Sequence, residues 1–345
     1  MPRATDVGDK VTLIRILGLV VGYLLLPAIS LADCGGRDLI AELARVDPAR
    51  HDSLLARSRQ VVNGEGLLWE VGNGSTPPSY LFGTYHDTEA GYPDLPEPAS
   101  VRFRAARVLI VELTDIEQQR MAERMARDPG FAMTRSGNRL FRHLNHADRQ
   151  LAEAALGARG VTMQTARKLQ PWMLFSILSV PVCQFEARSD GASVLDQRLI
   201  HEARARGMPV AGLETFEEAL GAFSKIPKDA FTAILRDLLR STEREEDIRA
   251  TMLGLYQHEQ VAAIQQFAAL SEPDPERAIE AFRLMRIFTD AILVPRNHAW
   301  LDSLIPELRQ GGAFVAFGAL HLPGEEGLVE LLRARGFTVR RVIER

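Results

Sequence analysis

The sequence predicts an α/β (α+β) fold: one mixed sheet formed by N- and C-terminal strands, with a large central helical insert over about residues 115–310. Three observations predict it. Short apolar runs bounded by glycine and proline cluster at the two ends of the chain, apolar residues in the middle recur at helical spacing, and two of the terminal runs end in the same Phe-Gly-x-x-His pattern. Strands confined to the ends have one another to pair with, and the helices between them are left to cover the sheet. With 345 residues, 46% apolar and 25% charged, the chain is long enough for a sizeable core and too apolar for a disordered protein.

The first element is an export signal, residues 1–32. Lys10 and Arg15 flank an uncharged run, Pro27 breaks it, and Ser30-Leu31-Ala32 offers the small residues of a cleavage site. The alternative is an inner-membrane anchor over residues 16–32, at the short limit for a spanning helix. The mature protein, residues 33–345, is then a single domain, periplasmic or secreted, touching a membrane only through the N-terminal segment if that is uncleaved. Two cysteines exclude a disulfide-dense scaffold and a Cys-rich zinc module. Outside the cytosol Cys34 and Cys183 can oxidise to a disulfide, and buried thiols are the alternative.

Residues 38–59 are helical in pattern, with Leu39, Leu43, Val46, Leu54 and Leu55 recurring on one side. Asn63-Gly64 and Gly66 end that stretch. Residues 66–71 and Tyr80-Leu81-Phe82 form a hairpin around a turn rich in glycine and proline. Pro93, Pro96 and Pro98 make residues 87–100 a loop, and residues 102–107 form a short basic helix. Val108-Leu109-Ile110-Val111 is a buried strand closed by Glu112. The period from 115 to about 205 is helical, broken at Pro129-Gly130, Ser136-Gly137 and Pro171. Residues 208–213 give another strand, closed by Glu214. Helices resume from 216 to 310, with Pro295 expected to kink or split the last. Gly311-Gly312 opens the strand 313–317. A loop with Pro323-Gly324 leads into a helix over 328–335, Gly336 caps it, and residues 337–342 are the final strand.

The candidate chemistry sits at the strand ends. Gly-x-x-His alone arises by chance roughly 0.6 times per chain of this composition, and a preceding Phe lowers that to roughly 0.03, so two copies carry information. They are Phe82-Gly83-Thr84-Tyr85-His86 and Phe317-Gly318-Ala319-Leu320-His321. In open α/β sheets, sites form beyond the strand ends, so these loops can bring two imidazoles together. Glu112 ends a buried run where a carboxylate has no packing role. His86, His321 and Glu112 are a ligand set suited to Mn, Co, Zn or Fe, and such an ion lowers the pKa of bound water. Glu214 is a second carboxylate, as base or ligand, or else a helix N-terminal acid ahead of Thr215. Arg296 and Asn297 can bind a substrate carboxylate or carbonyl, or lie on a helix surface. Asp87, Glu89, Glu325 and Glu326 flank the histidines and read as solvated loop charge. Trp172 and the stripe 173–180 read as core.

Other chemistries are excluded. The net charge of −4 argues against a nucleic-acid binder, and there is no Gly-x-Ser-x-Gly, Walker or Gly-x-Gly-x-x-Gly motif. His258-Glu259 lacks the second histidine of a zincin helix. His143 and His146, beside Asn145 and Asp148, read as capping and surface residues.

These residues together resemble the TraB/GumN family, which is related to the Tiki proteases. The resemblance runs over about residues 34–344. It is carried by Cys34-Gly35-Gly36-Arg37-Asp38-Leu39, Leu81-Phe82-Gly83-Thr84-Tyr85-His86, Val111-Glu112-Leu113, Gln170-Pro171-Trp172, Leu195-Asp196, Gly212-Leu213-Glu214-Thr215, Arg296-Asn297 and residues 317–324. It implies an α/β fold with the two Gly-x-x-His loops facing each other. In the Tiki branch it implies metal-dependent proteolysis supported by His86, His321 and Glu112. The expected function is an exported metal-dependent hydrolase acting on a peptide or small-molecule substrate, with Glu112, Glu214 and Asn297 assisting. The alternative is a non-catalytic metal-, haem- or peptide-binding envelope protein.

Overall fold

The computed structural model describes residues 34–88, 95–270 and 274–343. The expected export signal and Glu89 lie outside the described residues. Six strands, β1 (Leu68–Gly72), β2 (Ser79–Thr84), β3 (Val108–Val111), β4 (Val210–Gly212), β5 (Ala313–Gly318) and β6 (Thr338–Arg341), form one sheet in the order β4-β3-β5-β2-β1-β6. The two ends of the chain pair as expected. β1 and β2 make the hairpin, β5 lies parallel to β2, and β6 lies antiparallel to β1. β3 is parallel to both β5 and β4. Four neighbouring strands, β4-β3-β5-β2, therefore run in one direction and end on one edge.

Every residue of β3 and the first five of β5 are buried. Such continuous apolar runs arise where both faces of a sheet are covered. The strand period of two sends alternate side chains to opposite cores. Phe82, Leu109, Val111, Phe314 and Ala316 pack with Leu54, Phe103, Leu199 and Tyr256. Leu81, Val108, Ile110, Val315 and Phe317 pack with Trp300, Leu304 and Leu328. A third core, including Leu140, Leu156, Leu174, Ile177 and Leu235, belongs to the helical middle, and Trp172 packs against it.

The helix boundaries differ from expectation where proline starts a helix instead of ending one. The stretch 38–59 is two helices, Leu39–Val46 and Pro48–Arg59. Asp47 divides them and caps the second by accepting from the Arg50 amide at 3.0 Å. The basic helix is Glu97–Ala105, with Pro98 in its first turn, where a missing amide proton costs no bond. Pro295 does mark a split in the last helix, as expected: the π-helical turn Thr289–Leu293 separates Pro275–Phe288 from Val294–Gln310, and Pro295 is the second residue of the latter. That wide turn absorbs the bond proline cannot make. Gly336, at φ 88°, caps the helix Leu328–Ala334 as expected.

Cys34 and Cys183 are joined as a disulfide with their Cα atoms 5.5 Å apart. Such a bond persists in oxidising compartments. Among the described residues no helix is long and apolar enough to cross a membrane.

Candidate active site

Each of the four parallel strands is followed, just past its last residue, by one of the predicted site residues. β2 leads to His86, β3 to Glu112, β4 to Glu214 and β5 to His321. The helix Val294–Gln310 adds Arg296, Asn297 and Trp300. The two Phe-Gly-x-x-His copies lie on adjacent strands but one residue out of step, since Gly83 pairs with Phe317 and Thr84 with Gly318. Phe82 and Phe317 consequently enter opposite cores, and the repeated motif serves two different roles.

Close approach requires the first glycine, and the second brings its amide to Glu112. A Cβ at Gly83 would lie 2.7 Å from Leu322 Cδ1 and 2.9 Å from Ala319 Cα, so the end of β2 can pack against the 3-10 turn Ala319–His321 only without a side chain. The Gly318 amide donates to Glu112 Oε1 at 2.6 Å, which ties the end of β5 to the residue after β3.

His321 is 3% exposed, and its protonation is set by a chain of hydrogen bonds. Asn297 Nδ2 donates to the Glu326 carbonyl at 2.8 Å, which turns Asn297 Oδ1 toward His321 Nδ1 at 2.5 Å. An amide oxygen only accepts, so Nδ1 carries the proton and Nε2 keeps a lone pair. That lone pair faces Arg296 Nη1 at 3.3 Å and Glu112 Oε1 at 3.9 Å. Burial pushes the pKa of His321 down to about 3, against the pull of Glu112, so the ring is neutral.

Arg296 is the hub. Its Nη2 donates to Glu112 Oε2 at 2.7 Å, its Nε donates to the two oxygens of Glu214 at 3.0 and 3.1 Å, and Nη2 also contacts Glu214. The guanidinium stacks 4.8 Å over the Trp300 ring, which also neighbours His321 at 4.3 Å and Phe317 at 6.1 Å between ring centroids. Burial alone would raise the pKa of Glu112. Arg296 foremost, then the two histidines and the Gly318 amide, brings it down to about 2. Burial holds Glu214 above the usual carboxylate range despite its bonds to Arg296.

His86 stands apart from this hub. Its side chain is 55% exposed and its Nε2 lies 3.4 Å from Asp196 Oδ2, while Asp196 Oδ1 accepts from Thr84 Oγ1 at 3.0 Å. Desolvation opposes a charge on His86, but Asp196, helped by Glu112, raises its pKa. His86, His321 and Glu112 are thus within electrostatic reach of one another. Among the described residues, no three His, Cys, Asp or Glu side chains are grouped so as to hold a metal ion. The positive charge among Glu112, Glu214 and His321 is the guanidinium of Arg296.

Several expectations need correction. Arg296 and Asn297 point inward to Glu112, Glu214 and His321. Asn297 is 2% exposed, so neither residue lies on a helix surface. Asp87 is no solvated loop charge: it is 2% exposed and paired with Arg249. Glu325 and Glu326 are exposed, as expected of solvated loop charge, and Glu326 pairs with the half-exposed His298 at 2.6 Å. His143 and His146 are exposed, and it is Asn145 that caps the helix His146–Ala158. Two residues were given no role by sequence reasoning. Asp196 in the first turn of the helix Leu195–Ala205 looks like an ordinary helix-start acid, and Trp300 looks like core.

The pKa directions carry an expected pH dependence. The unfolded chain protonates His321 near 6.5 and the folded chain only near 3, so stability falls as pH drops through that interval. The contribution of Glu112 is present above its ordinary 4.5 and is lost as pH falls toward about 2. His86 and Glu214, both raised, run the other way. Urea midpoints measured from pH 7 to 4 should fall, and His321→Asn should flatten the upper part of the slope. An unchanged slope in His321→Asn contradicts the buried neutral imidazole.

Residues 67–341 match the family described as TraB/PrgY/gumN. A curated relative, Metalloprotease TIKI2 of Danio rerio, is 24% identical over 317 residues, which cover 79% of this chain and 60% of the relative. The chain therefore spans about 60% of that relative's length. No solved structure matches the chain.

Proposed function

The chain belongs to the TraB/PrgY/gumN family, and on that premise we propose that it is an exported metal-dependent hydrolase acting on peptide bonds, held in the periplasm or secreted. The observation that carries this reading is the Nε2 lone pair of His321, fixed by Asn297, beside the ionised Glu112 at the edge where His86 also stands. The similarity to a protein described as a metalloprotease supports it.

The donor set suits a divalent ion. Two ligands of one first-row ion, each about 2.1 Å from it, stand about 3–4 Å apart. His321 Nε2 and Glu112 Oε1, 3.9 Å apart, meet this, while His86 is not grouped with them and would have to move in. Two imidazoles and one carboxylate suit Mn, Co, Zn or Fe. His86, His321 and Glu112 would hold the ion, with Nε2 of His321 released from Arg296 and Nε2 of His86 from Asp196. Such an ion supplies carbonyl polarisation and a more acidic water.

The chain's own groups have distinct parts. Asn297 orients His321, as outer partners of ligating histidines do. Arg296 keeps Glu112 ionised, so Glu112 suits a ligand or fixed charge better than a base. Glu214, raised by burial, titrates closer to neutrality and is the better proton carrier. Asp196, 3.4 Å from His86 Nε2, is placed to orient that imidazole.

The test is elemental analysis with digestion of a peptide library. Metal-loaded protein should cleave peptides, and His86→Ala and His321→Ala should each lose bound metal while staying folded by circular dichroism. Full occupancy in both variants contradicts the assignment. Retention of intact peptide by metal-loaded protein favours a binder, a reading supported by the way Arg296 already satisfies Glu112 and His321.

A further inference from the structure

Behind His86 lies a buried polar cluster that the proposed chemistry does not use. Asp87, the next residue, is 2% exposed and meets Arg249, 3% exposed, through Nε to Oδ2 at 2.7 Å and Nη2 to Oδ1 at 2.9 Å. Gln184 Nε2 donates to Asp87 Oδ1 at 2.9 Å, and Gln184 Oε1 accepts from both the amide and the hydroxyl of Thr88, at 2.8 and 2.6 Å. Arg188, one turn later on the helix Val182–Ser189, donates to the His86 carbonyl at 2.7 Å. Residues 86, 87 and 88 are thus each held by side chains from outside their loop.

Two elements do the holding. The helix Glu245–Gln257 grips both sides of His86: Tyr256 donates to the Gly83 carbonyl at 2.8 Å, and Arg249 takes Asp87. The helix Val182–Ser189 carries Gln184 and Arg188 and begins beside Cys183. The disulfide to Cys34 ties that helix to the start of the described chain, and Arg249 Nη1 donates to the Cys34 carbonyl at 3.2 Å. Gln184 Nε2 also lies 3.4 Å from Cys34 Sγ.

A buried ion pair is weak evidence for stability, because apolar replacements of the same volume often do as well. What a two-pronged guanidinium–carboxylate pair supplies is fixed orientation. Asp87 and Arg249 cancel in charge, so that pair acts on His86 by geometry, whereas the charge of Arg188 also opposes a charge on the imidazole. The cluster's bonds converge on the three residues after Tyr85, which are the ones that decide where the imidazole stands.

We propose that Asp87, Arg249 and Gln184, braced by the Cys34–Cys183 disulfide, are positioning residues that set the imidazole of His86 against Asp196. The proposal rests on the reading that His86 belongs to the site.

The test follows side-chain nitrogen resonances in the full chain with labelled histidine, alongside zinc titration. Gln184→Leu and Arg249→Gln should move the His86 signals, leave those of His321 in place, and weaken zinc binding about tenfold or more. Arg249→Lys restores the charge without the fork and should leave His86 displaced. Gln184→Leu spares the ion pair and so stays informative if Arg249→Gln fails to fold. Unmoved His86 signals in a folded variant overturn the proposal, as does a common movement of all eight histidines. If His86 moves but the unmodified chain binds no zinc, the positioning role stands and the metal reading falls.

Discussion

Replacing Arg296 with alanine should destabilise the protein by about 3–5 kcal/mol, the range for breaking a buried ion pair from one side. The side chains of Arg296, Glu112 and Glu214 are 15%, 16% and 4% exposed. Removing the guanidinium leaves two carboxylates and the His321 lone pair facing one another without a cation, with the Gly318 amide still donating to Glu112. It also strips the stacking partner from Trp300. Arg296→Lys should recover part of the loss, because one ammonium restores the charge but cannot reach Glu112, Glu214 and His321 together. The triple variant Arg296→Met, Glu112→Gln, Glu214→Gln should recover more stability than Arg296→Lys while abolishing the site. Urea denaturation of the set checks the order. An Arg296→Ala variant within about 1 kcal/mol of the parent would show that water reaches the hub.

The second large effect concerns the disulfide. Cys34 and Cys183 are 149 residues apart, and closing a loop of that size restricts the unfolded chain by about 5 kcal/mol in the chain-entropy account. The Cys34→Ala/Cys183→Ala variant should therefore lose stability on that order, with little change in the far-ultraviolet spectrum. Reduction of the parent protein should shift its denaturation midpoint to that of the double variant. Equal midpoints for oxidised and reduced parent contradict a stabilising role.

Much of the sheet was legible because it obeys local rules. The all-apolar run over 108–111 and the Gly-Gly-led run over 313–317 read as buried strands, and both are central. His86 and His321 could be picked out by the repeated Phe-Gly-x-x-His pattern, and Glu112 and Glu214 because a carboxylate closing an apolar strand lacks a packing reason. What could not be read was the partner of each. Arg296 reaches Glu214 across 82 residues of chain and Glu112 across 184, and no local pattern tells an inward arginine from a surface one. Asp196 and Asp87 hid for the same reason: acids at a helix start or in a proline-rich loop are usually solvated, and only tertiary packing against His86 and Arg249 makes them otherwise. The helix boundaries were missed where Asp-Pro and Pro-x pairs opened helices. Proline read along the chain marks a break without saying on which side the helix lies.

The central claim is that His86, His321 and Glu112 serve one ion. Zinc titrated into the metal-free protein, with the histidine side-chain nitrogens observed, tests it most directly. The Nε2 resonances of His86 and His321 should shift together and saturate at about one equivalent, and Glu112→Gln should abolish both responses. A response from one imidazole alone, or from neither, contradicts it.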